Sequence, residues 1–96
     1  MQIYHLTVIY DKKALPDTGG SPFVDLAAAT VEAFGSLCFL AAQDMGHGRR
    51  IRVCRIDIAS SAGEVVGSVS LAEVIATMVP FEDNSFFNEV ARQIAL

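Results

Sequence analysis

Basic charge is scarce in this 96-residue chain: seven Lys and Arg face eleven Asp and Glu, for a net charge of −4 and a pI near 4.9. Non-specific binding to nucleic acid rests on a clustered basic surface that neutralises phosphates, and this balance argues against it. The N-terminus, Met1-Gln2-Ile3-Tyr4-His5, lacks both the basic start and the apolar stretch of a signal peptide. The longest charge-free run of helical pattern, Ala33 to Gln43, is too short to span a bilayer, so no membrane is expected. The two cysteines, Cys38 and Cys54, follow no metal or redox spacing and read as buried thiols in a reducing cytoplasm. Internal repeats and low-complexity linkers are missing as well.

Catalytic signatures are equally thin. No G-x-S-x-G, Walker loop, H-E-x-x-H or Cys-His pairing occurs. Asp44 and His47 are three apart, but two ligands fall short of a zinc or iron sphere. His5 has no histidine or carboxylate partner at ligand spacing and reads as a half-buried strand residue. Glu82-Asp83-Asn84 reads as a solvated turn. The expectation is therefore a protein with no catalytic residues, no metal, no cofactor and no enzyme activity.

What the chain does have is apolar content, 52% against 19% charged, on the high side for a soluble monomer. It is concentrated between Phe23 and Gly48. Advancing 100° per residue from Leu26 places Glu32, Gln43 and Ser36 together at roughly 240° to 280°, and almost everything else on the circumference is apolar or small. An ordinary surface helix carries an apolar face of about 100° or somewhat more. This pattern predicts a helix over about 25–44 that is covered on two sides, by its own sheet and by a second element or a second copy. Asp25 is the natural N-cap, and Gly46 and Gly48 supply left-handed residues at its exit. Asp44 falls in the apolar arc, so regular helix is expected to stop near Gln43. Gly35 costs about 1 kcal/mol relative to Ala in mid-helix and is read as a close-packing position.

Elsewhere the period is that of strands. Ile3 to Tyr10 alternates with Tyr4, Leu6, Val8 and Tyr10 inward, and Ile3, His5, Thr7 and Ile9 opposite with partial cover. Asp11 to Pro22 is turn-like, with Ala14-Leu15 as a short return strand before Pro16. Arg49 to Ile58 is a strand whose alternation slips at Val53-Cys54, through a bulge or through cover on both faces. Ser60 to Gly63 turns the chain into a hairpin with Val65 to Ser70. Ser70-Leu71-Ala72-Glu73 matches a capping box for a helix from Leu71 to Val79, with continued strand as the rival. Ser85 caps a last helix with Phe86, Phe87, Val90, Ala91 and Ile94 on one face.

The expected fold is one α+β domain over 1–96: a three- or four-stranded sheet, one long helix across a face, and one or two short C-terminal helices. The most unusual chemistry is His47-Gly48-Arg49-Arg50-Ile51-Arg52 with Arg55 behind it. A glycine turn followed by arginines can present N–H groups and guanidinium forks to an anion. The competing reading pairs these arginines with the chain's own acids, such as Asp57, Asp11 or Glu64.

Tyr4 in the first strand, Pro16-Asp17 with a following glycine, Asp25-Leu26 opening a helix with Ala28, Ala29, Glu32 and Ala33, then Gly48-Arg49-Arg50-Ile51 and Gly63-x-Val65, resemble the DUF6894 family of small bacterial proteins. The resemblance spans about Met1 to Leu71. The chain departs from the pattern at Thr18-Gly19-Gly20-Ser21, where acidic residues would precede a glycine, and in its apolar tail from Ala72. The resemblance implies one compact domain and a bacterial cytoplasm, and it supplies no catalytic residues. The function expected from these readings is a non-catalytic protein-interaction or regulatory domain that forms a homodimer or higher homo-oligomer and can take a protein partner. The alternative is a binding module for a small anion or nucleic acid through His47, Arg49, Arg50, Arg52 and Arg55.

Overall fold

The computed structural model describes residues 1–78; the side chain of Met78, and the helix expected after Ser85, lie outside the description. The architecture is α+β, with one antiparallel five-stranded sheet, a long helix across one face and a short helix after the last strand. β1 (Gln2–Tyr10) is the organising strand. β4 (Val53–Ser60) pairs along one edge of it, and β5 (Val65–Ser70) pairs outside β4. The other edge is shared by two very short strands. β2 (Ala14–Leu15) pairs with Val8 and Ile9, and β3 (Ser21–Phe23) pairs with Gln2 to Tyr4. β3 was not expected, because Asp11 to Pro22 reads as turn; a proline is tolerated there because this is an outer strand.

Between those two short strands β1 has a bare edge at residues 5–7, and one side chain fills it. Asp17 accepts hydrogen bonds from the Leu6 amide at 3.2 Å and the Gly20 amide at 3.0 Å. Its carbonyl lies 2.6 Å from His5 Nδ1. A carbonyl can only accept, so this ring nitrogen carries the proton. His5 is thus half-buried beneath the Asp17–Gly20 turn, which gives the outer sheet face its partial cover.

α1 (Leu26–Gly46) begins where Asp25 Oδ1 accepts from the Ala28 amide at 2.9 Å. It runs beyond Gln43, contrary to the sequence reading. Asp44 is tolerated because Arg49 folds back onto its carboxylate at 3.1 Å, beyond a Schellman turn closed by Arg49 N to Asp44 O and Gly48 N to Met45 O. Gly48, at φ 68°, takes the left-handed position; Gly46 remains helical. At 21 residues, with a mean hydropathy of 1.4 over an 18-residue window, α1 meets the length and composition of a membrane span, which the shorter run Ala33–Gln43 does not. Its inner stripe Ala29, Ala33, Leu37 and Ala41, at intervals of four, is buried against the sheet. Three alanines on this stripe let the helix lie close to the strands, where Tyr4, Val53, Ile56, Ile58 and Val69 complete the core. Burying one Leu such as Leu37 contributes roughly 1.5–3 kcal/mol.

The slip in β4 is a bulge. Ile9 pairs with Arg55 and Tyr10 with Val53, which leaves Cys54 as the extra residue. It therefore lets Val53, Ile56 and Ile58 all face the core, while Cys54 is exposed rather than buried as expected. A second shift leaves Val66 unpaired in β5, and both Val65 and Val66 are exposed. α2 (Leu71–Met78) starts at the expected box, with Ser70 Oγ accepting from the Glu73 amide at 3.2 Å and donating to Glu73 Oε1 at 3.1 Å. Leu71, Val74 and Ile75 close the core against α1, β4 and β5.

Candidate functional site

The antiparallel pairing of β1 with β4 brings the end of one beside the start of the other, and α1 ends at the same pole. Basic residues far apart in sequence meet there. A cleft of about 400 Å³ is lined by Tyr10, Asp11, Lys12, Lys13, Arg50 and Arg52. A neighbouring hollow of similar volume shares Tyr10, Lys13, Arg50 and Arg52 and adds Leu15, Asp44 and Arg49. The walls are tied by main chain: the Tyr10 amide donates to Lys13 O at 2.8 Å and the Asp11 amide to Arg52 O at 3.1 Å.

The cations there differ in how they are held. Arg50 Nη2 lies 3.3 Å from Asp11 Oδ2, and Arg49 is held by Asp44. Lys13 Nζ stands 5.8 Å from the Tyr10 ring centroid. Lys12 and Arg52 are exposed and have no acidic partner among the described residues. Pairing with the chain's own acids thus holds for Arg49, Arg50 and Arg55, and fails for Arg52.

The structure separates the five residues first grouped by sequence. Arg49, Arg50 and Arg52 meet around the two hollows, whereas His47 caps α1 in solvent. Arg55 sits on the outer face of β4, bound to Asp57 Oδ1 at 2.9 Å, with Asp57 also accepting from Ser68. Sequence reasoning missed Tyr10, Lys12 and Lys13. The available signal was the Asp11-Lys12-Lys13 turn, which any direct antiparallel pairing of the first and second long strands sets beside Arg50 and Arg52. Among the described residues no group of three or more His, Cys, Asp or Glu could hold a metal.

A second surface is the outer side of α1. Opposite the buried stripe lie Ala27, Val31, Gly35, Phe39 and Ala42, all exposed, with Val31 at 73% and Phe39 at 63%. A Cβ built on Gly35 meets nothing within 4 Å, so Gly35 is not a packing position among the described residues. The cover expected on two sides is present there on only one.

The family described as "Domain of unknown function (DUF6894)" matches residues 3–72, and the chain belongs to it. Neither the curated proteins nor the solved structures contain a match. The residues that carried the resemblance hold structural posts: Asp17 closes the β1 edge, Asp25 caps α1, Ala29 and Ala33 form the inner stripe, and Gly48 ends the helix.

Proposed function

We propose that this member of the DUF6894 family is a non-catalytic interaction domain that pairs with a second copy of itself through the outer face of α1. The observation that carries this reading is the apolar, exposed stripe Ala27-Val31-Gly35-Phe39-Ala42 on a helix whose opposite side already fills the core. Exposed apolar surface of this kind marks protein contacts. Gly35 lies next to the midpoint of α1, and Val31 and Phe39 stand four residues to either side of it. A two-fold axis at Gly35 would set antiparallel helices with Val31 of one against Phe39 of the other. Such a surface is self-complementary, as a symmetric dimer requires. Glycine at the crossing permits close approach, which gives Gly35 a packing role between chains.

Light scattering on the full chain at micromolar concentration is expected to give a dimeric or larger mass. Val31→Glu is expected to give a folded monomer, with unchanged far-UV circular dichroism. A monomeric mass for the unmodified chain at that concentration sinks the reading.

A further inference from the structure

We infer that the cleft between the β1–β2 turn and Arg50–Arg52 binds a small ligand bearing two phosphate-type anionic groups. This site lies apart from the α1 face and does not depend on self-association. Five of the chain's seven basic residues, Lys12, Lys13, Arg49, Arg50 and Arg52, gather around the two hollows with only Asp11 and Asp44 among them, in a chain whose net charge is −4. A local field opposite to that of the whole molecule focuses anions onto one place. A volume of about 400 Å³ lies in the ordinary range for small-molecule sites.

Two features point to two anionic groups. Arg50 and Arg52 line both hollows, so each hollow can seat one group against the guanidinium forks, with Lys12 on the first side and Arg49 on the second. The main-chain bonds from Tyr10 to Lys13 and from Asp11 to Arg52 hold the two walls in register before any ligand arrives. Asp11 occupies Arg50 from within the site at 3.3 Å, with both side chains substantially exposed. Such a pair is weak enough for a doubly charged ligand to displace. A polymer of phosphates is disfavoured, because beyond these hollows the chain carries only two basic residues against nine acidic ones.

The test is calorimetric titration of the full chain with inorganic pyrophosphate, and with inorganic phosphate, at low and at physiological salt. Expected is saturable binding, tighter for pyrophosphate and weakened by salt. Arg52→Ala is expected to lower affinity about tenfold or more, as loss of a charged hydrogen bond does. Asp11→Asn is expected to raise it about two- to fivefold by freeing Arg50, a gain that misfolding cannot imitate. Arg55→Ala, which removes the same charge outside the cleft, is expected to change nothing. The inference is overturned by no saturable binding at millimolar pyrophosphate, by equal losses in Arg52→Ala and Arg55→Ala, by weaker binding in Asp11→Asn, or by an oligonucleotide that binds more tightly than pyrophosphate.

Discussion

Removing the Asp17 carboxylate is expected to destabilise the sheet at one definable place. In Asp17→Ala the Leu6 and Gly20 amides lose acceptors now at 3.2 and 3.0 Å. Hydrogen bonds to charged groups contribute about 1.5–3 kcal/mol each when well made. The Leu6 bond is at the long end for N–H···O and the carboxylate is half-buried, so the lower end applies and water recovers part of the loss. The total expected is about 2–3 kcal/mol, which for a domain of this size lowers Tm by about 10–20 °C. Asp17→Asn, which keeps one side-chain acceptor, should lose about half as much. Urea unfolding should show a lower midpoint at unchanged slope, and amide exchange should accelerate at Leu6 before it does at Ile56 or Ile58. A change within about 0.5 kcal/mol in Asp17→Ala, the range of an ordinary surface substitution, would refute the claim that this side chain stands in for a missing strand.

Gly20→Ala should also destabilise, by about 1–2 kcal/mol from its left-handed φ of 68° and by more from crowding, since the new Cβ would stand 2.7 Å from Ile3 Cγ2 and 3.1 Å from Tyr4 O. Gly35→Ala should do the opposite to the isolated fold: it fills open space in a helix, gains up to about 1 kcal/mol in unfolding measurements on the monomer, and weakens self-association. Leu37→Ala, at a fully buried position, is expected to cost about 2–5 kcal/mol in chemical denaturation. On a background free of Cys38 and Cys54, a mixture of Val31→Cys and Phe39→Cys chains should cross-link to each other under oxidation more readily than either does alone. Preferential Val31→Cys self-linking would instead indicate parallel pairing.

Much of the fold is local physics and was therefore readable. Asp25, Gly48 and the Ser70/Glu73 box act through hydrogen bonds to groups within five residues, and each holds the post its sequence position suggested. The inward face of β1 followed from period two. Other features depend on partners distant along the chain. α1 could be extended past Gln43 because Arg49 meets Asp44, and Ser21–Phe23 became a strand because β1 offered it an edge. The candidate site was legible only in half. Arg49, Arg50 and Arg52 are adjacent in sequence, whereas Lys12 and Lys13 join them through strand pairing.

The amino-acid pattern alone determined the class of fold, the long helix and its caps, and the uncommon apolarity of that helix, because periodicity and capping act over a few residues. Which of two readings holds at Val53-Cys54, which arginines share a cleft, and which side of α1 is buried in the core were decided only by tertiary structure. Register, bulges and the choice of buried stripe are properties of paired elements, and neither partner carries them by itself.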